Sequence, residues 1–248
     1  NIVDTRMHIT GGLGAVHGIE GFGPEYELPN KEAYDETCAA VGNVFFNHRM
    51  FLLEKDGKYM DVAEAALLNN VLAGVNLDGN KFFYVNPLES DGMVDRSHWF
   101  GTACCPTNLA RLIPQVSGLI YAHTDNDIYC SFYTGSSANI PLKSGVVKVS
   151  QKTEYPFDDK VILTLNTQKK DQQFSVKMRI PTWTDSQFVP GKLYNYIDNN
   201  TSQWQVYVNN VQVNDPTVEK GFVTINRKWK DGDQVELRLP MPVRYTRA

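Results

Sequence analysis

Near residue 120 the hydrophobic periodicity of this chain changes, which limits it to an architecture with two unlike parts. Upstream, apolar side chains recur at three- and four-residue steps between glycine-rich loops; downstream, β-branched and aromatic residues alternate with polar ones. The steps Tyr34, Cys38, Val41, Phe45, Phe46, Leu52 and Leu53, closed by Asp56-Gly57, predict one helix. A second is expected from Tyr59 to Val75, with Ala63, Ala66, Leu67 and Val71 inward. A third opens at Pro106, continues through Leu109, Leu112, Ile113 and Val116, and is kinked or broken at Pro114. Phe82-Phe83-Tyr84-Val85 reads as a short strand stopped by Asn86-Pro87. After Tyr121 the strand candidates are Ile128–Tyr133, Val146–Ser150, Val161–Asn166, Phe174–Ile180, Trp204–Val208, Phe222–Asn226 and Gln234–Leu239. Asn126-Asp127, Asn209-Asn210 and Asp231-Gly232-Asp233 punctuate them, and such a run predicts a β-sandwich.

Length and charge narrow the function classes. At 248 residues the chain suits one large domain or two ordinary ones, and 42% hydrophobic content is enough for real cores. A net charge of −4 leaves no basic footprint, so nucleic acid is not an expected partner. No apolar run reaches eighteen residues, so no membrane span is expected. The chain starts at Asn1 without a signal sequence, which points to a mature form or a piece, with the compartment open between cytoplasm and periplasm.

The chain has four cysteines, and three of them fall in two short segments, Glu36-Thr37-Cys38 and Gly101-Thr102-Ala103-Cys104-Cys105-Pro106. Glu36, Cys38, Cys104 and Cys105 would complete a tetrahedral shell for Zn²⁺, which accepts thiolate sulfur and carboxylate oxygen. The spacing is not that of a common zinc finger or ribbon, so a buried thiol cluster or a Cys38–Cys104 disulfide remains open on the residues alone. Glu36 and Cys38 pose a geometric test. Two residues apart on a regular helix, their side chains diverge by about 200°. Both reach one metal only if regular helix begins around Cys38. The Cys104-Cys105 pair precedes Pro106, and a helix N-terminus there favours thiolate. Cys130 alternates within its strand as a core thiol.

Six glycines crowd residues 11–23 without the strand-to-helix spacing of a phosphate loop, so a loop bringing backbone close to a ligand is expected there. That loop carries His17 and Glu20, followed by Glu25, Tyr26 and Glu27, any of which can be a solvated loop residue. Trp183, Trp204 and Trp229 can form a sugar-stacking platform, but nothing groups them on one face, and core or edge packing is the expectation.

Four ordered motifs carry a resemblance. They are Glu20-Gly-Phe-Gly-Pro-Glu-Tyr-Glu-Leu-Pro-Asn, Tyr34-Asp-Glu-Thr-Cys-Ala, Phe83-Tyr-Val-Asn-Pro-Leu and Ala103-Cys-Cys-Pro-Thr-Asn. With the Leu239-Pro240-Met241-Pro242-Val243-Arg244 segment they resemble glycoside hydrolase family 127 and its relatives in family 146, which contain β-L-arabinofuranosidases. The resemblance implies an α+β, multidomain fold: residues 1–120 as the C-terminal portion of an (α/α)6 catalytic barrel, residues 121–248 as an antiparallel β-sandwich. It implies a Zn²⁺ cofactor on Glu36, Cys38, Cys104 and Cys105, a nucleophile at Cys104, an acid/base at Glu20 (sixteen residues before Glu36) and a substrate contact at Tyr84. Thr102 departs from members with a further cysteine there, at a position that is not a ligand. The implied substrate is an arabinose-containing oligosaccharide or glycan, and the implied source a bacterial-type soluble protein.

The implied chemistry is coherent. Zn²⁺ with three thiolates and a carboxylate has formal charge 2 − 4 = −2; a carboxyl group beside it is favoured in the protonated form that a general acid needs. Two displacements, with Cys104 attacking and Glu20 serving first as acid and then as base, give net retention. The family's early barrel helices would precede Asn1 and its later domains follow Ala248, so an internal piece is expected. Alone, such a piece would expose Phe45, Phe46, Leu67 and Leu112, associate with the remainder of its own chain or with itself, and lack activity. The alternatives are a non-catalytic, zinc-containing carbohydrate-binding or structural module, and a cysteine hydrolase pairing Cys104 with His17.

Overall fold

The computed structural model describes residues 2–185, 187–200 and 202–248. Its helices are α1 (Ile2–Thr5), α2 (Thr37–Glu54), α3 (Gly57–Ala66) and α4 (Cys104–Leu112). The strands are β1 (Tyr121–His123), β2 (Asp127–Cys130), β3 (Ser136–Leu142), β4 (Gly145–Thr153), β5 (Lys160–Thr167), β6 (Gln172–Arg179), β7 (Asn195–Tyr196), β8 (Gln205–Val208), β9 (Val211–Gln212), β10 (Val218–Glu219), β11 (Phe222–Trp229), β12 (Asp233–Arg238) and β13 (Thr246–Arg247). Among the described residues no helix is long and apolar enough to cross a membrane.

α2 and α3 are antiparallel neighbours set by a tight turn. Lys55 closes α2 in the left-handed region, and the Asp56 side chain caps α3 by accepting from the Lys58 N–H. The expected helix from Tyr59 to Val75 is regular only to Ala66. It widens into a π turn over Leu67–Val71 and tightens to a 3₁₀ turn over Leu72–Gly74. Two contacts accompany the change: Asn70 Nδ2 bonds Asp35, and the Arg96 guanidinium takes the Ala73 carbonyl at 2.8 and 3.0 Å. Phe82–Val85 is not a strand. It makes only single bridges, Phe82 to Val75 and Ser97, and Val85 to Glu36. α4 gives way at Ile113 to a 3₁₀ helix with Pro114 in its first turn.

The strands form a five-stranded sheet, ordered β1-β2-β6-β11-β10, facing a six-stranded one, ordered β3-β4-β5-β12-β8-β9. The period-two burial of β5 sends Val161, Leu163 and Leu165 inward, and β12 sends Val235 and Leu237. They meet Ile128, Phe174, Val176, Met178, Val223 and Ile225 from the facing sheet in one apolar cluster. One pairing departs from the antiparallel expectation: β2 runs parallel to β6, and the β3–β4–β5 meander of the other sheet lies between them in the chain. β3 escaped the sequence pattern. It is polar and contains Pro141, which an edge strand tolerates. Trp229 and Cys130 are core residues, and Trp183 stacks on Tyr155.

A second cluster joins helices to sheet, with Phe51, Met60, Leu109 and Leu112 against Tyr129, Phe132 and Phe222. Here Leu67 and Leu112 are buried within this cluster, contrary to the expected exposure, and Phe45 is half-buried; Phe46 and Leu53 stay 62% and 75% exposed. Arg179, wholly buried at the end of β6, pairs with Asp61 and Glu64 of α3 and donates through Nε to the Ser131 carbonyl at 2.7 Å. The glycine loop packs against protein at Gly11 and lines a cavity beside Glu36 through Gly14 and Gly21. Gly11 sits at φ +80°, and a Cβ there would lie 2.4 Å from the Ala66 backbone.

His8 gives this packing a pH signature. It is buried, and burial holds its pKa below the usual 6.5 against the pull of the Gly14 carbonyl. The unfolded chain takes up a proton below pH 6.5 that the folded chain refuses, so the stabilisation present above 6.5 is lost as pH falls. One such proton gives a limiting slope of about 1.4 kcal/mol per pH unit. His8→Gln is expected to flatten that part of the profile in urea denaturation between pH 7 and 5; unchanged slopes would contradict it.

Candidate active site

The short motifs converge. Glu36 occupies the N-cap of α2 in extended conformation (φ −65°, ψ 137°), outside the helix that starts at Thr37. That placement resolves the spacing problem, since Glu36 and Cys38 no longer share a regular helix. Thr37 is clamped on both sides: its N–H donates to the Tyr84 carbonyl at 3.0 Å and its hydroxyl to the Phe83 carbonyl at 2.9 Å. α4 brings Cys104 and Cys105 in from its first turn, where the Thr107 hydroxyl bonds the Ala103 and Cys104 carbonyls.

One donor atom from each of Glu36, Cys38, Cys104 and Cys105 lies within 4.8 Å of every other. Cys38 Sγ is 3.3 Å from Cys105 Sγ, Cys104 Sγ is 3.9 Å from Cys105 Sγ, and Glu36 Oε1 is 3.6 Å from both Cys104 and Cys105 sulfurs. All three thiols are free, and 3.3 Å is far beyond a disulfide bond. Tetrahedral Zn²⁺, with bonds of about 2.3 Å to sulfur and about 2.0–2.2 Å to oxygen, sets its donors roughly 3.5–3.8 Å apart. The four residues therefore fit a zinc ion in both chemistry and spacing.

Electrostatics shows why the cluster suits a cation. Three thiols this close cannot all ionise on their own. Cys38 is held below the usual thiol range, first by its contact with Cys105 and then by Asn108. Cys105 is pushed far up by that same contact and by burial, and Cys104 is pushed up chiefly by burial. The helix N-terminus expected to favour thiolate at the Cys104-Cys105 pair is thus outweighed by desolvation and by the neighbouring sulfur. A dication among them reverses that order.

Beside the thiols, Tyr84 spans two groups. Its hydroxyl donates to Glu20 Oε1 at 3.3 Å, and its contact with Cys104 is the leading cause of its raised pKa. Tyr34 packs edge-on to Tyr84, and burial and the neighbouring Glu20 push its pKa up. An open cavity of about 260 Å³, lined in part by Glu20, Phe22, Tyr34 and Glu36, adjoins the cluster. His17 Nε2 bonds the Glu32 carbonyl at 3.1 Å, and its ring stands edge-on to Tyr34. Sequence reasoning assigned Tyr34 only to a helix face, and it missed Asn108, whose Nδ2 lies 3.2 Å from Cys38 Sγ. Their places as the first residue of Tyr34-Asp-Glu-Thr-Cys-Ala and the last of Ala103-Cys-Cys-Pro-Thr-Asn were the available signal.

Residues 1–118 match the profile of the β-L-arabinofuranosidase GH127 catalytic domain, and residues 127–241 match that of the GH127 middle domain. A non-reducing end β-L-arabinofuranosidase from Bifidobacterium longum is 35% identical over all of this chain and 37% of its own length. A solved GH127 β-arabinofuranosidase superposes with a TM-score of 0.96 at 44% identity, over 100% of this chain and 39% of that one. A GH127 β-L-arabinofuranosidase from Geobacillus stearothermophilus T6 gives 0.87 at 38% identity, over 98% and 37%. The chain thus spans about two-fifths of the length of these relatives.

Proposed function

The chain belongs to glycoside hydrolase family 127, and on that footing we propose that it carries the nucleophile, the acid/base and the metal ligands of a retaining β-L-arabinofuranosidase acting on an arabinose-containing glycan. In this reading residues 1–120 are the C-terminal portion of an (α/α)6 catalytic barrel and residues 121–248 the β-sandwich that backs it. The supporting observation is the convergence of one carboxylate and three thiols, with Tyr84 linking Cys104 to Glu20. Zn²⁺ held by Glu36, Cys38, Cys104 and Cys105 would keep these sulfurs as thiolates at neutral pH.

Cys104 Sγ attacks the anomeric carbon as the glycosidic C–O bond breaks, and Glu20 gives its proton to the departing oxygen. A thioglycosyl bond to Cys104 results. Water then attacks the same carbon, Glu20 takes its proton, and the carbon–sulfur bond breaks, returning the thiolate with net retention. Tyr84, placed between the two groups, contacts the sugar and orients both. A non-catalytic zinc-holding carbohydrate-binding or structural module would account for the ligands, but it gives the Glu20–Tyr84–Cys104 contact no role.

Leaving-group dependence tests the acid. In the full-length protein, Glu20→Gln is expected to slow the glycosylation step about 10²–10⁴-fold on alkyl arabinofuranosides, and far less on nitrophenyl ones, whose leaving group needs no proton. Equal losses on both substrates in that step would remove Glu20 from the role.

A further inference from the structure

Asn108 lies one turn along α4 from Cys104 and Cys105, and its amide faces two ways. Its Oδ1 accepts from Arg111 Nη1 at 2.8 Å, and its Nδ2 lies 3.2 Å from Cys38 Sγ. A guanidinium can only donate, so the amide oxygen belongs on the Arg111 side and the NH₂ on the sulfur side. Cys38 Sγ is therefore an acceptor. Cys104 has a different neighbour, the Tyr84 hydroxyl, on the side that also holds Glu20. The sulfurs are thus treated unequally: one is bound by an amide fixed through an arginine, the other neighbours a phenol that bonds Glu20.

We propose that Asn108 is a positioning residue that holds Cys38 as the anchoring thiolate of the metal site, with Arg111 locking the amide. The bond draws charge from the Cys38 sulfur and makes it a fixed ligand and a poor nucleophile, leaving Cys104 as the sulfur that reacts. This rests on the reading that the cluster holds zinc.

The test uses the full-length protein and two readouts that do not depend on turnover: zinc affinity by competition with a chromophoric chelator, and the cobalt–thiolate charge-transfer band after Co²⁺ substitution. Asn108→Ala is expected to weaken zinc binding about 10–100-fold and to shift the cobalt band. Asn108→Asp should weaken it further, because it turns a carboxylate oxygen toward the sulfur. Arg111→Ala, at an exposed position that leaves the fold intact, should weaken binding in the same direction but add nothing in the Asn108→Ala background. Affinity within twofold of wild type and an unshifted band in Asn108→Ala would overturn the proposal, as would additive effects of the two substitutions. A wild-type protein that takes up no zinc would instead defeat the metal reading itself, so the two failures are distinct.

Discussion

Cys104→Ser in the full-length protein is expected to lose turnover by about 10⁴-fold or more while still taking up close to one zinc per chain. The loss follows because a hydroxyl is a weak nucleophile without its own base, and the carboxylate at this position, Glu36, is in this reading committed to the metal. Metal is retained because Glu36, Cys38 and Cys105 remain, and three protein ligands suffice for zinc with a fourth site open. Cys38→Ser should behave in the opposite order, losing metal first and activity as a consequence. Measuring zinc content and kcat on the same preparations separates the two roles. Cys104→Ser with more than a hundredth of wild-type turnover would assign the nucleophile elsewhere.

The second large effect lies at the seam between helices and sheet. Arg179→Met is expected to cost about 3–5 kcal/mol, because it strands the buried Asp61 and Glu64 carboxylates without a counter-charge and the Ser131 carbonyl without its donor. Tyr133 and Thr182 belong to the same network, the first donating to the Arg179 carbonyl and the second to Asp61. Adding Asp61→Asn and Glu64→Gln to Arg179→Met should recover part of the loss, since the penalty comes from unpaired charge rather than lost volume. Urea denaturation of the single and triple variants decides this. A loss under 1 kcal/mol for Arg179→Met would mean that water or rearrangement reaches the carboxylates.

What was legible in the sequence divides along physical lines. Strands with one buried face announced themselves by alternation, as in Val161–Asn166 and Gln234–Leu239, because the pleat forces a period of two. β3 did not, since an edge strand needs little apolar alternation and can hold Pro141. The two-residue gap between Glu36 and Cys38 carried real geometric content: for both side chains to face one point, the helix had to begin after Glu36, and it begins at Thr37. The irregular turns after Ala66 were hidden, because they accompany contacts to Asp35 and Arg96, both distant in sequence. Likewise the protonation order of the thiols depends on sulfur–sulfur distances that no spacing rule reports, and it ran against the helix-terminus argument for Cys104 and Cys105. Asn108 closes a legible motif and Arg111 lies three residues beyond it, yet only the fold shows that the amide points at Cys38.

Elemental analysis of the full-length protein purified without chelator tests the metal-thiolate site most directly. One equivalent of zinc per chain, with Cys38, Cys104 and Cys105 recovered as free thiols after denaturation in acid, is the expected result. Less than a tenth of an equivalent, with two of those three cysteines joined in a disulfide, would contradict it.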